Sequence, residues 1–210
     1  MSKLLATVDE PFDRTLASGR ADIGEVCDPA NPFHARLMRN WLNKWLCRIG
    51  LPGADEPDDF ATSLAAWWHG IEPTLPSPEL TLAKLSPSQL EAIAGTFGDL
   101  KTRLAFRNRH GVERSMGSTA SAKVLYFVRP LSVTAWDDRI AGHVGCDRSS
   151  KGYLLHLEKC HEWAQDVVQA AADEGIPEDR IGLEIGRPDS SVAKLLDEYL
   201  YHVITRRWQI

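Results

Sequence analysis

The chain has 210 residues, of which 43% are hydrophobic and 25% charged, with a formal net charge of −5. That mix excludes an intrinsically disordered chain. The acidic balance excludes a protein coated in positive charge and leaves room for a local basic groove. The length suits one domain or two small ones. Cys27, Cys47, Cys146 and Cys160 form no CxxC pair. The opening MSKLLATVDEPFD lacks an apolar core long enough for a signal peptide, and no stretch reaches the length of a membrane span. A cytoplasmic protein with reduced thiols is expected.

Residues 1–30 show no clear period and read as an irregular lead-in to a single helical domain over 31–210. Asn31 followed by Pro32 is a cap and first-turn pair. Leu37, Met38, Trp41, Leu42, Trp45, Leu46 and Ile49 then recur at three- and four-residue spacing. The spacing predicts an amphipathic helix ended by Gly50 and Pro52, with Arg36, Arg39, Asn43 and Lys44 on its polar side. Asp55, Glu56, Asp58 and Asp59 complement the start of a helix from Phe60 to His69, with Leu64, Trp67 and Trp68 inward. Pro73, Pro76 and Pro78 make an extended connector. Ser86 and Pro87 open a helix whose inner face carries Leu90, Ile93, Ala94 and Phe97. Leu100 to His110 reads as its continuation, with Leu104 and Phe106 inward. Lys101, Arg103, Arg107, Arg109 and Arg114 make this the most basic segment. It is either a solvated helix face or a phosphate-binding edge.

The stretch from Gly117 to Ile140, GSTASAKVLYFVRPLSVTAWDDRI, organises the rest. Ser118 or Thr119 can cap a helix with Val124, Leu125, Phe127 and Val128 on its apolar side. Pro130 interrupts it, and Ser132 to Gly142 reads as a short helix or a turn and helix. Residues 145–152 are a loop. Tyr153 to Ala172 is the longest clean helix, with Leu154, Leu157, Cys160, Trp163, Ala164, Val167, Val168 and Ala171 along one side. Asp189 or Ser190 starts the last helix, with Val192, Leu195, Leu196, Tyr199, Leu200, Val203 and Ile204 inward. Strand alternation is almost absent, so the fold class is all-α, a compact helical domain.

GSTASAKVLYF at Gly117–Phe127, then Arg129-Pro130 and Trp136-Asp137-Asp138-Arg139-Ile140, resembles a set of bacterial proteins described as having an 8-oxoguanine DNA glycosylase-like fold. VAKLLDEYL at Val192–Leu200 resembles the end of the same proteins, and the resemblance is best over residues 100–205. The wider superfamily is the helix-hairpin-helix DNA glycosylases. The resemblance implies a hairpin that binds the DNA backbone, a following helix with a catalytic aspartate and, in bifunctional members, a lysine nucleophile. Asp137 matches the aspartate, with Asp138 as its rival, since adjacent residues cannot face one point on a helix. Lys123 is the candidate lysine. The glycine-rich hairpin LPGxGxK of the family is replaced here by GVERSMGSTASAK.

Cleaving an N-glycosidic bond develops positive charge on the sugar, which a fixed carboxylate stabilises while orienting water. Asp137 can serve that role without a lysine, or it can be a helix cap or salt-bridge residue. Lys123 is a nucleophile or a structural or phosphate-facing residue. Trp136, with Trp41, Trp45, Trp67 or Trp68, could wall a slot for a flat base, and Arg139 and Arg129 could bind substrate or pair with Asp137 and Asp138. Lys101, Arg103, Arg107 and Arg109 are the candidate phosphate contacts. His156 and Cys160 share a helix face, but convincing further ligands are missing, so no metal and no cofactor is expected. The expected activity is N-glycosidic bond hydrolysis on DNA or a nucleoside-like molecule, in a DNA-repair or antiphage-defence setting. The alternative is a non-catalytic module of the same fold that binds nucleic acid or protein.

Overall fold

The computed structural model describes residues 27–53 and 55–205. The expected lead-in over residues 1–30 lies almost wholly outside the described residues. Among the described residues the fold is all-α apart from one two-stranded hairpin. None of the helices among the described residues is long and apolar enough to cross a membrane.

Side-chain caps start most of the helices. Asn31 accepts from the Phe33 N–H ahead of α1 (Pro32–Lys44), and Asp58 accepts from Ala61 ahead of α2 (Asp59–Ile71). Ser86 and Gln89 form a reciprocal capping box at α3 (Pro87–Leu100). Each such cap contributes about 1 kcal/mol. Helix α1 ends near Lys44, earlier than its apolar spacing predicts. Leu46 and Arg48 take left-handed conformations with φ of 61° and 57°, and Asn43 bonds both the N–H and the carbonyl of Ile49. Arg39 is another correction. It is not on a solvated face but buried, with its guanidinium 2.7 Å from both oxygens of Asp58.

The chain after α3 departs from the expected helix. Strands β1 (Leu104–Arg107) and β2 (Glu113–Ser115) pair antiparallel. Asn108 closes the turn, its side-chain oxygen accepting from the N–H groups of His110 and Val112, and Gly111 supplies a φ of +74° that few other residues adopt. Turn chemistry therefore overrides the weak 3.6-residue pattern between Leu100 and His110.

Helix α4 (Gly117–Val128) is the core of the molecule, with every residue from Val124 to Val128 buried. A helix apolar all round must be enclosed, and α1 and α3 pack against it. Neither Ser118 nor Thr119 caps it. Its start is held instead by backbone bonds from Met116 and Gly117 to the Arg103 and Lys101 carbonyls. Pro130 stops it as expected. An irregular run follows, and only Asp138–His143, here α5, is helical.

Helix α6 (Ser150–Asp173) packs on α3 and on the last helix. A Cβ at Gly152 would stand 2.1 Å from the Asp147 carbonyl oxygen, so the loop before α6 closes tightly only over glycine. A short helix α7 (Ile181–Glu184) leads to α8 (Val192–Leu200), capped by Ser191. The chain then widens into a π-helical turn at Tyr201–Thr205. Tyr199, expected inward, is exposed.

Candidate functional site

One cleft, of about 80 Å³, lies where the irregular run after α4, the start of α5, the end of α8 and the π-turn meet. Its lining includes Lys123 from α4, Trp136 and Asp137 from the irregular run, Trp45 after α1, Asp197 and Glu198 from α8, and Tyr201 and His202 from the π-turn. The volume holds roughly five to eight water-sized spheres. Wider clefts lie between the 50–60 loop and the hairpin, about 320 Å³, and between α6 and α7, about 350 Å³. The smaller cleft is the chemical candidate because charged groups withdrawn from water converge on it with aromatic walls.

Asp137 is the N-cap of α5. Its Oδ1 accepts from the Arg139 and Ile140 N–H groups at 2.8 and 2.9 Å. Its Oδ2 accepts from the Thr205 hydroxyl at 3.2 Å. Asp138 points elsewhere and pairs with Arg148 at the surface, so Asp137 alone of the doublet lines the cleft. Trp136 is held by an aromatic cluster. Its ring lies 5.0 Å from Tyr153, 5.4 Å from His156 and 5.7 Å from Phe97, and Phe97 stacks on Tyr153 at 4.2 Å.

Lys123 donates to the Trp45 carbonyl at 3.2 Å, with its Nζ 5.4 Å from the Trp45 ring centroid. On α8, Glu198 is gripped by both Arg187 nitrogens at 2.8 and 2.9 Å, and by Lys194 at 3.0 Å. These side chains are almost wholly buried. Lys194 also reaches Asp197 at 3.5 Å. Burial pushes the Asp197 carboxyl above its ordinary value; Lys194 and Lys123 oppose the rise and Glu198 adds to it.

The remaining expected site residues lie apart. Arg129 is buried in the core and does not line the cleft. It donates to the Pro76 carbonyl at 2.7 Å beneath the Trp68 ring, and burial lowers its pKa. Arg139 donates from Nη1 to the Thr205 carbonyl, not to Asp137. The basic segment is largely occupied: Arg103 pairs with Asp99, Arg107 with Asp59 and Glu113, Lys101 donates to the Arg148 carbonyl, and Arg109 meets His110. Trp41, Trp67 and Trp68 are core residues.

Beneath Trp136, His156 lies 3.0 Å from the Thr134 hydroxyl and 3.8 Å from Cys160. Burial lowers the His156 pKa to about 4 and pushes Cys160 up to about 12. Among the described residues, no group of three or more His, Cys, Asp or Glu is placed to hold a metal ion.

The sequence reading missed Lys194, Asp197 and Glu198. Their signal was the i, i+3 and i+4 spacing of one cation and two carboxylates on the last helix. It was hidden by the assumption that the charged residues of an amphipathic helix face water. The chain matches no protein-family model, no curated protein and no solved structure.

Proposed function

We propose that the chain hydrolyses the N-glycosidic bond of a nucleoside-like substrate, with the base against Trp136 and Asp137 beside the sugar. The observation that carries this reading is the convergence of Lys123, Trp136 and Asp137 on one cleft. The resemblance of the surrounding segments to glycosylase-like proteins points the same way. As the bond lengthens, positive charge grows on the sugar and the fixed Asp137 carboxylate stabilises it. Oδ1 is locked by two backbone N–H groups, whereas Oδ2 is held by a rotatable hydroxyl, so Oδ2 is the oxygen that can turn to water. Lys123 donates to a carbonyl and serves as a polar contact for the base, with no covalent step. A small substrate fits the charge better than a duplex. The cleft presents Asp137, Asp197 and Glu198 against Lys123 and Lys194, and Arg103 and Arg107 are already paired with carboxylates.

The second reading is a module of the same fold that binds nucleic acid or protein without catalysis. Its supporting observation is that both Asp137 oxygens already accept hydrogen bonds. Base release decides between the two. The test screens inosine, guanosine, their deoxy and 8-oxo forms, and modified-base oligonucleotides, single-stranded and duplex, against wild type and Asp137→Asn. Release by the wild type that falls by about 10²-fold or more in the variant is the expected result. No release from any member of the panel sinks the hydrolase reading and leaves the module.

A further inference from the structure

The three carboxylates of the cleft are held in different ways. Asp137 accepts from two backbone N–H groups and a hydroxyl. Glu198 takes a two-pronged grip from Arg187 and a third contact from Lys194 at 3.0 Å. Asp197 stands 3.5 Å from the same Lys194 amine, its side chain only 14% exposed, and it lines the same cleft as Asp137. A cation shared with a closer carboxylate compensates a withdrawn charge poorly. We propose that Asp197 is the proton donor to the leaving base, opposite in role to Asp137. The assignment rests on the hydrolase reading above and deepens it.

A nucleobase expelled as an anion is a poor leaving group, and a positioned acid removes that barrier. In the step, the bond from the sugar C1′ to the base nitrogen breaks and its electron pair stays on the base. The Asp197 proton goes to the base, which departs neutral. A water oxygen forms the new bond to C1′, and its surplus proton returns to the Asp197 carboxylate through solvent in the cleft. Nothing besides water is consumed. Two carboxyl groups with different surroundings are how one site supplies both an acid and a fixed negative charge.

The groups that set the proton on Asp197 come from every side. Lys194 and Glu198 share its helix, and Lys123 reaches in from α4. Tyr153 and Cys160 on α6 feel its charge, and Asp137 and His202 line the same cleft. Burial of Asp197 is the largest influence and keeps the acid form to higher pH than an ordinary aspartate.

The test compares inosine with 4-nitrophenyl riboside, whose leaving group departs without a proton. Asp197→Asn should lower hypoxanthine release by about 10²-fold or more while nitrophenol release stays near the wild-type rate. Asp197→Glu should recover part of the inosine activity. The alkaline fall in wild-type kcat/KM should vanish in Asp197→Asn. Equal losses on both substrates by an Asp197→Asn protein with a wild-type thermal midpoint overturn the assignment, as does unchanged inosine turnover. If Asp197→Asn does not fold, the Asp197→Glu profile decides, and an alkaline limb unmoved from wild type overturns it. Wild-type turnover of the nitrophenyl riboside alone overturns the assignment and spares the hydrolase reading. Turnover of neither substrate, nor of any other member of the panel, overturns both.

Discussion

The Thr205 hydroxyl donates to Oδ2 of Asp137 at 3.2 Å, joining the π-turn after α8 to the cap of α5. The Arg139 guanidinium reinforces the same junction by donating to the Thr205 carbonyl at 3.2 Å. A π-turn widens the helix by one residue per turn and is often found at functional sites. Here it places Tyr201 and His202 on the cleft and Thr205 on its carboxylate. Thr205→Val keeps the shape and the carbonyl contact and deletes only the hydroxyl. Stability should fall by about 1 kcal/mol, read as a lower urea midpoint at unchanged slope. On the hydrolase reading, kcat should fall with little change in KM, because the carboxylate loses its aim and not its charge.

Capping and chemistry at Asp137 can be separated by two substitutions. Asparagine caps a helix about as well as aspartate, so Asp137→Asn should leave the thermal midpoint nearly unchanged. Asp137→Ala removes the acceptor for the Arg139 and Ile140 N–H groups and for the Thr205 hydroxyl, and should cost about 2 kcal/mol. On the hydrolase reading, both variants should lose base release to a similar degree, since both lose the negative charge. Activity that follows stability across the pair would assign Asp137 to the fold alone.

Glu198 carries the charge balance at the floor of the cleft. Its side chain and that of Lys194 are each 5% exposed, and Arg187 is 12% exposed. Glu198→Gln removes the buried negative charge that both Arg187 and Lys194 contact. The expected loss is on the order of 3 kcal/mol, measured by guanidinium unfolding. Glu198→Gln should also lower the Asp197 pKa, since Glu198 adds to its rise, and on the hydrolase reading this shifts the alkaline limb of activity to lower pH. A wild-type unfolding midpoint would show that the ion network contributes nothing to stability.

What the sequence revealed and what it concealed divide along a physical line. Asn31-Pro32 and Ser86-Pro87 act locally, through their own backbone, and start helices where they were expected to. The run from Leu100 to His110 failed because a helical period of two inward residues is weak against an Asn108 and Gly111 turn, a contest invisible to periodicity. Arg39 and Lys194 failed for a longer-range reason. Each is buried because a carboxylate awaits it, Asp58 in one case and Glu198 in the other, and amphipathic patterning assigns charged residues to water by default. Trp136 and Asp137 were singled out by resemblance, yet their company of Trp45, Asp197 and Tyr201 is assembled by folding from distant segments. Arg129 shows the converse, a charged neighbour in sequence that the end of α4 turns into the core.

Acid sensitivity follows from His156. It is buried beside Thr134, Tyr153, Cys160 and Trp136, and its pKa falls from 6.5 to about 4, chiefly through burial and secondarily through Lys159. The folded protein therefore keeps this ring neutral at pH values where the unfolded chain protonates it. The stability tied to a neutral His156 is fully present above about pH 6.5 and is lost as pH falls from 6.5 toward 4. By linkage the loss reaches on the order of 3 kcal/mol at the lower limit. Asp197 works in the other direction, since its raised pKa stabilises the fold at low pH and loses that contribution as pH rises through it. A difference experiment isolates the histidine. Urea midpoints of wild type and His156→Gln at pH 4.5, 5.5 and 7 should converge as pH falls, because the variant lacks the protonation that weakens the wild type. A constant gap between the two proteins across that range would show that His156 titrates no differently in the folded and unfolded chains.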